Sequence, residues 1–282
     1  MPSIFVISQH RTGSTLLRNI LDANSDVSMA VDEMNLYEPF RKNTLDRLLE
    51  RQIVSVDDLL VAIDKGCVYG AFWKRFEESG LSLERLQSCL GGSTRLDEKT
   101  ILSGVLELLR ADSAVRNAGI KYPVHFSKLV LLRRWFPKSK IIVLFRNPKA
   151  IIASKLNDSA TQARKRKSFI HRFLVHYSTL LFFSLEFRGS VRVYLEHQEI
   201  THKVHYESLV LDQKTTIKRI CAYCDIEFEP TMLSVTGKDS SFGYSGRARI
   251  SPDSVNRYQR VLSRFDDWLI GLLTNRSYRK IQ

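Results

Sequence analysis

Hydrophobic and polar positions along this chain fall into two recurring rhythms. Ile4-Phe5-Val6-Ile7 is a short, unbroken apolar run rich in β-branched residues, the pattern of a strand buried on both faces. A polar turn, Gln9-His10-Arg11-Thr12-Gly13, follows, and the next ten residues place Leu16, Leu17, Ile20 and Leu21 at helical spacing. The same strand, turn and helix recur from Lys140, through an apolar run ending at Phe145, the turn Arg146-Asn147-Pro148 and a helix to about Lys155. Pro148 suits a first helical position, where its missing N–H costs nothing. Between the two units the pattern predicts helices at 45–51, 56–64, 83–90 and 98–116, an extended piece at 119–123 and a helix around 127–136. Beyond them it predicts a helix at 167–187, strands near 191–195 and 203–206, and helices at 215–224 and 254–274. Strands alternating with helices imply an α/β fold, a central and mostly parallel sheet flanked by helices. Nothing resembling a linker, repeat or low-complexity tract divides the 282 residues, so one domain is expected over 1–282.

Composition narrows the class. At 44% hydrophobic and 26% charged residues the chain is neither disordered nor collagen-like. Its apolar runs fall far short of the ~20 residues of a bilayer span. The opening run is too short for a signal peptide, so a cytoplasmic protein without a membrane partner is expected. Four cysteines (Cys67, Cys89, Cys221, Cys224) are too few for a disulfide framework. Cys221-Ala-Tyr-Cys224 has the spacing of half a zinc site, but no second pair follows it. The two read as buried thiols on successive turns of one helix, and no metal is expected. Lys and Arg number 43 against 30 Asp and Glu, a net charge of +13. Such a field attracts anions, whether nucleic acid, acidic membrane, glycan or a phosphate-rich cofactor.

The two turns are where that charge becomes chemistry. Arg11-Thr12-Gly13-Ser14-Thr15 is delivered by a buried strand to a helix N-terminus, where free N–H groups favour an anion. Gly13 permits close backbone approach, Ser14 and Thr15 add hydroxyls, and Arg11 adds a permanent cation. The Gly-Lys-[Ser/Thr] ending of an NTP-hydrolysing loop is absent. In the second unit Arg146 follows its strand directly and Ser154 lies two helical turns in, so both side chains can close on one phosphate. Two strand-terminal anion sites in one sheet suit a ligand with two separated phosphates, bound in the crevice at the carboxyl ends of the strands.

Arg11 to Leu17 resembles the 5′-phosphosulfate loop of PAPS-dependent sulfotransferases. Leu144-Phe145-Arg146-Asn147-Pro148-Lys149-Ala150 with Ser154 resembles their 3′-phosphate motif, and Tyr206-Glu207-Ser208-Leu209 their Tyr-Glu-x-Leu segment. The three occur in family order. Arg11 in the first loop is closer to the carbohydrate and tyrosylprotein branches, and Lys121-Tyr122-Pro123-Val124-His125 resembles segments of bacterial and glycan-modifying relatives. The resemblance implies a P-loop-NTPase-like sulfotransferase fold, PAPS as donor, PAP as product and no metal. It places Arg11, Thr12, Gly13, Ser14 and Thr15 at the 5′-phosphate and sulfonate, Arg146 and Ser154 at the 3′-phosphate, and Tyr206 near the adenine. Arg247, with Arg249, would close over the 3′-phosphate. The donor elements are then 4–24, 140–157 and 203–210, with a variable acceptor region at about 31–118.

The implied reaction moves a sulfonate to a hydroxyl or amine of a small-molecule or saccharide acceptor. Arg11 and Lys121 are the expected cations at the transferring group. Glu38, in a Tyr-Glu-Pro segment like that of carbohydrate sulfotransferases, is the first choice of base, and His125 the second. Two other classes fit the charge: a nucleotide or metabolite kinase-like phosphotransferase and a nucleic-acid-binding basic protein. The first lacks a Walker lysine, and the second lacks any zinc-finger or RNP-like pattern. No nucleic-acid partner is therefore expected. A homo-oligomer stays open.

Overall fold

A computed structural model gives the structure of the protein, described here for residues 3–33, 55, 57, 76–90, 97–122, 126–158, 161–163, 168–235 and 252–282. Its centre is β1 (Ser3–Ser8), every residue of which is buried. The chain then passes through α1 (Ser14–Asp22) to β2 (Val27–Glu33), and through α2 (Leu83–Leu90) and α3 (Glu98–Ser113) to β3 (Asn117–Lys121). Next come α4 (Leu129–Trp135), β4 (Lys140–Phe145), α5 (Pro148–Leu156), the long α6 (Phe169–Glu196) and β5 (His202–His205). Helices α7 (Tyr206–Leu211), α8 (Gln213–Cys224) and α9 (Arg264–Tyr278) follow, with a helical turn Asp253–Asn256 running into a 3-10 turn Arg257–Arg260 before α9.

The five strands form one sheet in the order β2-β3-β1-β4-β5, with every pairing parallel. Strand alternation divides the core. Phe5, Ile7, Ile141, Val143 and Phe145 join one buried cluster, with side chains from α3 and α6. Ile4, Val6, Ile142 and Leu144 join the other, against α1 and α8. This is the period-2 reading of two strands buried on both faces. After β1 the chain builds β2 and β3 on one side, and after β4 it builds β5 on the other. The crevice between the carboxyl ends of β1 and β4 is thus the switch point of the sheet, where open α/β sheets take ligands.

Local chemistry starts and stops the helices that frame this crevice. The Asn147 side chain accepts from the Lys149 N–H and Pro148 occupies the first turn of α5. Ser168 caps α6, and Ser263 with Asp266 forms a reciprocal capping box at α9. Two expectations fail here. The segment 191–195, read as a strand, continues α6, because Phe187, Val191 and Tyr194 carry its buried face on at helical spacing. The segment read as one helix over 254–274 is broken ahead of the Ser263 cap. The strand β2 had no counterpart in the sequence reading. Cys221 and Cys224 lie buried and free on α8, burial pushing their thiols up to about 11 and about 12.

Candidate active site

The turn after β1 is wound tightly. Arg11 has φ 66° and Gly13 φ 93°, two left-handed residues within three positions. The Ser8 and Thr12 hydroxyls both donate to the Gln9 carbonyl, at 3.0 and 2.9 Å, and staple the loop to the strand end. At Gly13 a Cβ would stand 2.4 Å from the Tyr206 ring, so only glycine fits. Gly13 is also the N-cap of α1 and brings no side-chain cap to it. The first-turn N–H groups of α1 are left for a ligand. Lys121, at the end of β3 and only 1% exposed, donates from Nζ to Thr15 Oγ1 at 3.0 Å. A buried cation thus stands beside the anion-binding end of α1.

The turn after β4 interlocks with the first. Arg146 donates from Nη1 to the Arg11 carbonyl at 3.0 Å and from Nη2 to the Ser254 carbonyl at 2.9 Å. Its guanidinium lies 4.2 Å from the centre of the Tyr206 ring, whose hydroxyl shares a 2.9 Å hydrogen bond with Ser254 Oγ. Burial lowers the Arg146 pKa, Tyr206 and Glu207 pull it back up, and the side chain stays charged. Glu207 Oε1 accepts from the Asn147 N–H at 2.8 Å, fastening α7 to the turn that carries Arg146. Arg11 Nε donates to Ser154 Oγ at 3.0 Å. Ser154, which its spacing paired with Arg146, is thus bonded to the arginine of the other turn.

Between the turns lies a cavity of about 320 Å³. Its described lining includes Arg11, Arg146, Ser154 and Tyr206, joined by Ser254 and Arg257 from the later segment, and it contains no carboxylate. Arg146 Nε is buried there without a hydrogen-bond partner. Three arginines and an unanswered donor around one hollow make a receptor for an anion.

Arg11, Thr12, Gly13, Ser14, Thr15, Lys121, Arg146, Ser154 and Tyr206 are brought together at the carboxyl edge of the sheet. Glu38, His125, Arg247 and Arg249 lie outside the described residues, as do the basic run 164–167 and the predicted helix at 45–51. The sequence reading missed Arg257, which a continuous helix would have placed on a solvated face. It also missed Glu98, a buried carboxylate that accepts from the Tyr122 hydroxyl and pairs with Lys128 Nζ at 2.7 Å. The spacing of tyrosine and lysine around the segment 123–125 was the available signal.

Comparison with known proteins gives a consistent picture. The family profile described as "Sulfotransferase family" matches residues 2–230. Protein-tyrosine sulfotransferase A of Caenorhabditis elegans is 21% identical over 251 residues, covering 85% of this chain and 55% of its own. The chain therefore spans about half the length of that relative. Among solved structures, the sulfotransferase domain from the curacin biosynthetic pathway superposes with a TM-score of 0.60 at 19% identity, covering 96% of each chain. The sulfotransferase domain of the Synechococcus PCC 7002 olefin synthase gives 0.57 at 19% identity, over 96% of this chain and 93% of its own. Mouse sulfotransferase SULT7A1 complexed with PAP gives 0.52 at 11% identity, over 99% and 85%.

Proposed function

The chain belongs to the sulfotransferase family, and on that premise we propose that it transfers a sulfonate group from PAPS to a hydroxyl or amine acceptor. The observation that carries this reading is the meeting of Arg11 and Arg146, from the turns after β1 and β4, around one cavity at the switch point of the sheet. A donor with phosphates on both its 5′ and 3′ positions needs two anion sites on neighbouring strand ends, and a kinase-type loop alone has one.

In this reading the turn 11–15 and the first N–H groups of α1 hold the 5′-phosphate and the transferring group. Arg146 and Ser154, joined by Arg257, hold the 3′-phosphate, its oxygens answer the buried Arg146 Nε, and Arg247 closes over it. Tyr206 packs beneath Arg146 and offers its ring to the adenine. PAPS supplies the sulfonate and a good leaving phosphate. Lys121 and Arg11 stabilise the negative charge that grows on that phosphate as the S–O bond breaks. Glu38 takes the acceptor proton as the new bond to sulfur forms in line, with His125 as the alternative base. The acceptor is a small molecule or saccharide, held by the region 31–118, and the whole chain 1–282 acts as one catalytic domain.

Melting curves with adenosine 3′,5′-bisphosphate, against ATP, AMP and sulfate, test the reading. A ligand at 100 times its Kd adds about 2.7 kcal/mol. The expected result is a shift specific to the 3′-phosphorylated nucleotide and lost in Arg146→Ala, whose truncation costs about 2 kcal/mol or more of binding. Equal shifts with ATP, or none, would overturn it.

A further inference from the structure

No residue of α6 from Phe169 to Thr179 is buried, a length of about 16 Å. Yet this stretch is strongly apolar: Phe169 is 81% exposed, and Ile170, Phe173 and Leu174 are each more than half exposed. Alongside it α9 shows Phe265, Trp268 and Leu272 to solvent, Trp268 at 58%. The two helices are bound together here, His176 to Asp266 at 3.0 Å. Ring contacts from Phe173 through Tyr177 and Phe265 to Trp268 make the surface continuous. A patch of this extent on a water-soluble surface marks an interaction site.

Charge decides what covers it. Among the described residues, Ser168 to Leu185 holds Arg172 and no acid, and Ser254 to Phe265 holds three Arg and no acid. The acids at the start of α9 are already paired, Asp266 buried against Ser263 and His176, Asp267 with Lys149 at 2.7 Å. A second copy of the chain would set these cations against one another within the ~8–10 Å range of unscreened repulsion. A lipid surface carrying negative headgroups would complement them. No described helix is long and apolar enough to cross a membrane, so the contact lies on the bilayer rather than through it.

We propose that this end of the molecule docks on an anionic lipid bilayer, with the rings of α6 and α9 in the acyl boundary and the flanking arginines at the headgroups. This departs from the expectation of no membrane partner. It does not depend on the transferase reading, because its readout is partition and not turnover. Val261, in the cavity lining, stands four residues before Phe265, so the docked face adjoins the rim of the anion cavity.

The test is co-sedimentation with vesicles of phosphatidylcholine alone and of an equimolar mixture with phosphatidylglycerol, read also by tryptophan emission in a Trp73→Phe/Trp135→Phe background that leaves Trp268 as the reporter. The protein should sediment with the mixed vesicles only, with a blue-shifted emission. The double variants Phe169→Ser/Trp268→Ser and Arg172→Glu/Arg264→Glu should keep the melting temperature and lose partition by about tenfold or more. Wild-type protein left in the supernatant at low salt would overturn the proposal. So would undiminished partition of the Phe169→Ser/Trp268→Ser variant. A concentration-dependent dimer abolished by that variant would instead assign the patch to a second copy.

Discussion

A single missing Cβ governs the proposed donor site. Gly13 must take φ 93° and admit the Tyr206 ring, and the same ring supports Arg146. Gly13→Ala brings a left-handed alanine, at about 1–2 kcal/mol, and drives the ring from beneath the guanidinium. The variant should melt lower and show a much smaller shift with adenosine 3′,5′-bisphosphate; an unchanged shift would separate Tyr206 from donor binding. A second residue acts through protons. Glu186 on α6 is half-buried with one oxygen shielded from water and unpartnered, and desolvation pushes its pKa from 4.5 to about 7, Lys155 opposing only in part. The native state then binds more protons than the unfolded chain between those values. Stability conferred by the neutral acid is complete below pH 4.5 and is lost as the pH rises through about 7. Glu186→Gln should flatten that decline and gain about 1–2 kcal/mol at pH 8, read from urea midpoints across the pH range.

At the scale of elements, Glu98 is the joint between α3, the end of β3 and the 3-10 turn Phe126–Lys128. Its carboxylate is bound on both sides of the segment 123–125. Glu98→Gln keeps an acceptor for Tyr122 but leaves Lys128 without its charge, at about 2–4 kcal/mol in a urea titration. Loss of no stability would mean that the Lys128 pair is solvated. What the sequence revealed of the elements follows burial. β1 and β4 were legible because both faces are covered and Ile4 to Ile7 and Ile141 to Phe145 are unbroken apolar runs. β2 was not, because Ser28, Asp32 and Glu33 interrupt a strand that has one neighbour among the described residues. Val191-Arg192-Val193-Tyr194 has strand-forming residues, and packing against the core made it helix instead. The arginines were legible as strand-end residues, but their interlocking was not. The bonds from Arg146 to the Arg11 carbonyl and from Arg11 to Ser154 depend on two turns 135 residues apart.

Over the whole molecule the excess of 13 positive charges is unevenly used. Part of it converges on the cavity, where Arg11, Arg146 and Arg257 face a space whose described lining holds no carboxylate. Donor binding should therefore weaken steadily with ionic strength, measured by calorimetric titration of adenosine 3′,5′-bisphosphate in rising salt. A salt-independent affinity would mean that hydrogen bonds and stacking, not the field, hold the ligand.

The strand order has a consequence in time. β1 lies at the centre of the sheet, and its neighbours are β3, with Ile4 opposite Gly119, and β4, with Ile4 opposite Lys140. Every pairing of the middle strand is therefore distant in sequence, and closing such loops is slow. A chain still on the ribosome, with β4 inside the exit tunnel, would expose one edge of its central strand to the surrounding solution. Residues 4–8 would be a natural landing point for a chaperone until Phe145 has emerged.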